Sequence, residues 1–276
     1  MKLIESKVEI IEQQPGLEGV YKQIELAGRT CYKSEDKITE DSAKEFVDRM
    51  IKSKHGAMLE HGTVYLCIPI IESKAYRIDS YNRNKYSKSH IDMDGHVYYI
   101  TTNLRVLVEN NWLDDLKYIC EPTEHHEKRI TARFTCDRGV SHEIVRHRVM
   151  SFAQESTRYC NYSKDKFGNE LTFIKPGWYS KTLENKHGGF ERFLEDSQSL
   201  YISLLDQGYL PQEARACLPN ALKTEIVVTG FESDWEHFFS LRSPKHGAQG
   251  VHPDMAKLAD ELYEKLNNVN TDNKTE

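Results

Sequence analysis

Apolar residues recur along this chain with two periods, and the period changes from segment to segment. "KVEIIE" (Lys7–Glu12) alternates as a short strand does. Leu17 to Ala27, and then Ala43, Phe46, Val47, Met50 and Ile51, fall at the three- and four-residue spacing of buried helix faces. Ser42 with Glu45 predicts a capping box for the second helix, and Gly56 its exit. "TVYLCIPI" (Thr63–Ile70) and "VYYIT" (Val97–Thr101) read as strands, the latter followed by a helix with Leu104, Leu107, Val108 and Leu116 inward. "ITARFTC" (Ile130–Cys136) sets Ile130, Ala132, Phe134 and Cys136 on one strand face. A helix carries Phe190, Phe193, Leu194, Tyr201, Leu204 and Leu205 and ends near Gly208. "EIVVTGF" (Glu225–Phe231) is a strand, and Ser233 with Glu236 predicts a second capping box, for the helix from Trp235 to Arg242. The last helix presents Met255, Leu258, Ala259 and Leu262. The polar stretch Ser80–Gly95 reads as a long loop, and residues 268–276 as a flexible polar tail. With no repeat and no linker, the pattern predicts one mixed α/β domain over residues 1–267.

Composition narrows the function. The net charge is −6 over 276 residues, the wrong sign for a protein that coats nucleic acid. No apolar run approaches the 18 residues of a membrane span, and the first residues lack the apolar core of a secretion signal. Six cysteines (Cys31, Cys67, Cys120, Cys136, Cys160, Cys217) form no CxxC pair, so the expectation is reduced thiols in the cytoplasm.

Several chemistries fail on spacing. "HEIVRH" begins like a zincin helix, but His147 lies five residues after His142, so the imidazoles diverge by about 140°. "EHHE" (Glu124–Glu127) reads as a solvated charged patch, and no metal is expected. Cys31, Cys160 and Cys217 each lie near an arginine, which can lower a thiol pKa, yet none falls in a pattern with a base, and a buried structural cysteine is the commoner outcome. Ser156 is not in a nucleophile elbow, and no glycine-rich phosphate loop is present. If a nucleotide binds, arginines and hydroxyls must hold it.

They are concentrated in "VRHRVMSFAQESTRYCNYS" (Val145–Ser163). A guanidinium offers paired planar donors suited to a phosphate or an imide edge, and hydroxyls add short adaptable bonds. Taken alone, three adjacent basic residues are more often plain surface. The spacing R-H-R, seven residues, Ser (Arg146 to Ser156) is, however, the signature of the flavin-dependent thymidylate synthases. The chain resembles that family in further blocks: "ELAGRTCYKS" (Glu25–Ser34), "KHGAMLEHGTVYLCI" (Lys54–Ile68), "QEARACLPNALKTEIVVTGF" (Gln212–Phe231) and "WEHFFSLRSPKHGAQGVHPDM" (Trp235–Met255). They fall in the family's order, with weaker likeness and insertions near 80–128 and 161–208.

The resemblance implies an α+β fold with a central, largely antiparallel sheet flanked by helices, assembled as a homotetramer whose active sites are shared between subunits. It implies reductive methylation of dUMP to dTMP, with 5,10-methylenetetrahydrofolate as carbon donor, FAD reduced by NADPH, and no cysteine nucleophile. Carried over position by position, Arg242 is the catalytic residue at the pyrimidine edge. Glu143, Arg146, Gln154, Glu155, Ser156, Thr157, Arg158, Arg215 and Arg242 fall on the dUMP site. His55, Ala57, Arg146, His147, Arg148, Gln154, His237 and His246 fall on the FAD site. Taken singly, Arg242 is also simply a cation at a helix C-terminus. Thr157 replaces a frequent glycine, Ala153 an asparagine, Ala57 a threonine and Glu143 a glutamine. A carboxylate at 143 repels a phosphate unless an arginine such as Arg215 stands between. Two rivals to this reading are a flavin-free nucleotide- or RNA-binding module, with Tyr159 and Tyr162 stacking bases, and an inactive flavoprotein of the same fold.

Overall fold

The alternating apolar segments build the sheet that carries the site. In this computed structural model, which describes residues 1–164, 167–180 and 189–272, β2 (Lys7–Ile11), β6 (Arg129–Asp137), β9 (Lys223–Phe231) and β7 (Ser151–Gln154) pair in that order, all antiparallel. Period two sends Ala132, Phe134, Cys136, Ile226 and Val228 to one face. There they pack on α6 (Arg138–Ile144), α9 (Glu232–Arg242) and α10 (Pro253–Asp272), through Ile144, Trp235, Phe238, Met255, Leu258 and Leu262. The expected inward face of "ITARFTC" is the observed one. On the opposite face, Ala153 and Val227 meet Ala27 of α1 (Gly16–Tyr32). The sheet is thus sandwiched between helices, as the family resemblance implies.

A second core joins α1 and α2 (Ser42–Lys52) to a three-stranded antiparallel sheet of β3 (Thr63–Pro69), β5 (Val97–Asn103) and β4 (Lys88–Asp92). Close approach of the helices needs Gly28, where a Cβ would stand 2.3 Å from Phe46 Cζ. A third cluster sets α7 (Phe190–Asp206) and α8 (Pro211–Ala214) against β8 (Thr172–Ile174), which pairs in parallel with β1 (Lys2–Ile4).

Several local expectations are corrected. Ser80–Gly95 is not a loop: it holds the end of α4 (Ala75–Arg83) and all of β4. The helix expected from Leu104 to Leu116 is two pieces, α5 (Leu104–Glu109) and a 3-10 turn (Leu113–Tyr118), broken at Asn111 with φ +58°. Neither capping box forms as expected. Ser42 lies inside α2 and donates instead to Glu25 Oε2 (2.8 Å) of α1. At α9 the carboxylate that accepts the Phe231 N–H (3.0 Å) is Asp234, while Ser233 turns to Glu127. Gly56 opens α3 (Gly56–Leu59) rather than ending α2, whose exit uses Lys54 at φ +57°. Helix α10 continues to Asp272, through the start of the expected tail; residues 273–276 lie outside the described residues, as do 165–166 and 181–188 of the expected 161–208 insertion.

Candidate functional site

The Arg146–Ser156 motif straddles two elements. Helix α6 begins where Asp137 Oδ1 accepts the Val140 N–H at 2.7 Å, and it ends at Ile144 because the chain must turn back to become edge strand β7. His142 is therefore helical and His147 is not, which removes any shared helix face for the two imidazoles. The turn leaves Arg146 and Arg148 exposed, with no side-chain hydrogen bond or ion pair among the described residues, and buries His147 between them.

His147 is the hub of one group of candidate residues. Its ring lies 4.9 Å from Phe238 and 6.2 Å from His237, and its Nε2 accepts from Arg242 Nε at 3.4 Å. Burial first, then the Arg242 guanidinium and the His237 imidazole beside it, lower its pKa to about 4. The ring is therefore neutral at pH 7 and able to accept. Arg242, in the last turn of α9, also donates through Nη1 to Glu143 Oε2 at 2.6 Å. Its Nη2 has no partner among the described residues. On the outer face of α9, His237 is exposed, and Glu236 meets His246 at 3.4 Å.

The second group gathers where β7 ends. Ser156 N–H donates to Cys31 O at 3.0 Å, tying the turn to the end of α1, and Ser156 Oγ accepts the Arg158 N–H at 3.3 Å. Thr157 is buried, and its hydroxyl accepts from Arg215 Nη1 at 3.0 Å. Arg158 is exposed, 5.5 Å above the Tyr159 ring, which in turn lies 5.5 Å from Tyr32. The Tyr32 hydroxyl contacts His55 Nδ1 at 3.4 Å, which brings His55 into this group, with exposed Ala57 close behind it on α3. Gln154 faces the sheet instead, donating to Ser141 (2.9 Å) and Thr224 (3.2 Å).

Beneath the turn lies a charged network that the sequence reading missed. Glu155, 2 % exposed, accepts from Tyr162 (2.7 Å) and Lys223 (3.0 Å). Lys223 and Lys33 both reach Glu225, at 2.6 and 2.8 Å. Burial alone would raise the Glu225 pKa; the two ammonium groups outweigh it and hold it at about 2. The signal was available: Lys223 and Glu225 share with Val227 the strand face that α1 covers.

Two expectations are corrected here. The cation beside Glu143 is Arg242, not Arg215, which is held instead by the Thr157 hydroxyl that a glycine would lack. Two of the cysteines near arginines, Cys31 and Cys217, are not activated, in keeping with the reading of them as structural thiols: burial raises Cys31 to about 12 and also raises Cys217. "EHHE" is not simply solvated, since His126 is buried between Tyr65 and Tyr99.

A family model described as "Thymidylate synthase complementing protein" matches residues 119–269, more than half of the 276. The chain belongs to that family. The match holds both groups of the site except Tyr32, His55 and Ala57. Among curated members, a flavin-dependent thymidylate synthase of Geobacter sulfurreducens is 38% identical over 105 residues, 38% of this chain and 43% of that protein. One of Pyrococcus furiosus is 35% identical over 107 residues, 39% of this chain and 43% of the relative. The matched stretch spans under half the length of these relatives. A solved UMP/dUMP methylase of Streptomyces cacaoi, bound with 5-Br dUMP, covers 96% of this chain at 17% identity and a TM-score of 0.46.

The donors of the site suit an anionic cofactor such as FAD, which carries a pyrophosphate. The chain offers Arg146, Arg148 and Arg158, which make no side-chain hydrogen bond or ion pair among the described residues, on a protein of net charge −6, together with the Ser156 and Thr157 hydroxyls. The site fits such groups.

Proposed function

We propose that this protein is a flavin-dependent thymidylate synthase, converting dUMP to dTMP with 5,10-methylenetetrahydrofolate as carbon donor and FAD reduced by NADPH. The observation that carries the reading is that Arg146, Arg148 and Arg158, which make no side-chain hydrogen bond or ion pair among the described residues, flank a hydroxyl-bearing turn reached by Arg215, in a chain of this family.

In this reading the dUMP phosphate is held at the Ser156–Arg158 turn by the Ser156 hydroxyl, the exposed Arg158 side chain and Arg215, which reaches the turn through Thr157. Arg242 is the catalytic residue. A guanidinium stays charged at any working pH, so its open Nη2 edge stabilises negative charge developing on the pyrimidine imide. Neutral His147 fixes the plane of that guanidinium by accepting from Nε. Arg146, His147, Arg148, His55 and His237 would hold the flavin. Once bound and reduced, FAD supplies the two electrons of the reductive methylation. No protein thiol takes part, in agreement with the raised thiol pKa values of Cys31 and Cys217.

Among the described residues no hydrogen bond or ion pair joins the His147–Arg242 group to the Ser156–Arg215 group, which is in keeping with a homotetramer whose sites are shared. Assembly brings one subunit's exposed arginines against another's turn. A cytoplasmic location completes the reading; no described helix is long and apolar enough to cross a membrane.

The test is product formation. Protein incubated with dUMP, methylenetetrahydrofolate, NADPH and FAD is to yield dTMP, with every component required and turnover reduced by about 10²–10³ in Arg242→Ala. FAD binding without dTMP formation would instead identify a flavoprotein that lacks the synthase reaction.

A further inference from the structure

A sulfur pair lies outside all of these residues. Cys67 is on β3, and Cys120 follows the 3-10 turn that ends at Tyr118. The antiparallel bridge Leu66↔Ile119 and the bond from Cys120 N–H to Tyr65 O (3.0 Å) place the two cysteines diagonally on one face. Both are half-buried, and their Sγ atoms are 2.6 Å apart. His126, 6 % exposed, closes over them. Its Nδ1 accepts the Thr123 N–H at 3.1 Å, so the ring proton sits on Nε2. That Nε2–H points to Leu66 O at 3.2 Å and lies 4.0 Å from Cys120 Sγ. Burial lowers the His126 pKa, so the ring is a neutral donor at pH 7.

We propose that Cys67 and Cys120 are an oxidation site that closes an intramolecular disulfide by exchange with a small-molecule disulfide. The Cys67 thiol loses its proton and attacks one sulfur of the reagent. The reagent's S–S bond breaks and its first half leaves as a thiolate, which takes up a proton. Cys120 then loses its proton and displaces the second half from Cys67. The pair gives up two electrons and two protons, and the reagent departs as two thiols. The Nε2–H of His126 stabilises Cys120 as it ionises. Burial and the neighbouring Cys67 sulfur raise the Cys120 pKa, so exchange accelerates with rising pH.

The same three side chains bring ligand atoms within 4.8 Å of one another, as a metal site does. Two thiolates on one tetrahedral zinc stand about 3.7 Å apart, however, and both His126 nitrogens already have backbone partners. The geometry favours the sulfur–sulfur bond. That bond joins residues 53 apart, enclosing α4, β4, β5 and α5. It also pins β3 beside a cavity of ≈ 380 Å³ lined by Tyr65, Cys120 and Arg129.

The experiment uses the whole chain, reduced and then treated with oxidised glutathione. Titratable thiols are to fall from six to four (six less the pair), with a mass loss of about 2 Da. Peptide mapping is to link Cys67 to Cys120. Tm is to rise by roughly 5–10 °C, reversibly with dithiothreitol. Folded Cys120→Ser is to show no loss of thiols. Mapping the unaltered chain decides the matter even if that variant misfolds. Six thiols throughout, a bond between other cysteines, or one zinc retained per reduced chain and released on alkylating Cys67 would overturn the proposal.

Discussion

Arg242 donates to Glu143 at 2.6 Å, so the arginine assigned to the pyrimidine edge is already engaged by a carboxylate. The pair is only partly shielded, at 20 and 29 % side-chain exposure, which makes it exchangeable rather than a fixed strut. Any anion that seeks Arg242 competes with Glu143.

Glu143→Gln removes the competing charge while keeping a hydrogen-bond acceptor. The nucleotide is expected to bind tighter by up to about fivefold, since a partly exposed ion pair is worth up to about 1 kcal/mol. Calorimetric titration with dUMP measures this, and equal or weaker binding would show that Glu143 does not oppose the ligand.

The Thr157–Arg215 bond is a separate device, fixing the arginine that the proposed function assigns to the phosphate. Thr157→Val is expected to weaken dUMP binding several-fold and Arg215→Ala about tenfold or more. The double variant should lose less than the sum, because each change breaks the same bond. Full additivity in a double-mutant cycle would uncouple the two residues.

Acid sensitivity should come in two windows. His147 (about 4) and His61 (about 3) titrate lower folded than unfolded, both through burial first. The unfolded chain binds more protons below pH 6.5, so their stability contribution is complete above that pH and is lost as pH falls toward 4 and 3. Glu225, held at about 2, contributes fully above pH 4.5 and loses that contribution as pH falls to 2. Glu225→Gln is expected to lower stability at pH 7 by about 3–5 kcal/mol, by leaving Lys33 and Lys223 without it, and to flatten the drop below pH 4.5. Melting temperatures from pH 3 to 8, compared with His147→Gln for the upper window, test both.

Gly28→Ala tests the packing that positions α1 beneath the Ser156 turn. The added methyl collides with the Phe46 ring, so a loss of about 1–3 kcal/mol is expected, read as a Tm lower by roughly 2–5 °C. An unchanged Tm would mean that α1 and α2 sit farther apart.

Local periodicity made the layers legible. The inward faces of "ITARFTC" and of the helix bearing Trp235 follow directly from spacing two and spacing three or four. β4 escaped because a strand with exposed Lys88, Ser89, His90 and Ile91 has no apolar alternation to read. β7 escaped because four residues inside a basic, hydroxyl-rich run look like loop. Motif spacing brought forward the arginines and hydroxyls of the site. It carried no information on partners: that Glu143 meets Arg242, that Arg215 meets Thr157, or that Glu155 sits on Lys223 depends on elements distant in the chain. The partly buried Lys33–Glu225–Lys223 network stayed hidden because charged residues read as solvent-facing unless their strand face is known.

The most direct test of the account is a visible absorption spectrum of the purified protein supplied with FAD, recorded before and after anaerobic NADPH, with and without dUMP. The account predicts bound flavin whose bands bleach on reduction at a rate that dUMP alters, with that response to dUMP reduced in Arg242→Ala. A colourless protein that takes up no FAD would contradict it, and the arginine-rich turn would then be a phosphate-binding surface without redox chemistry.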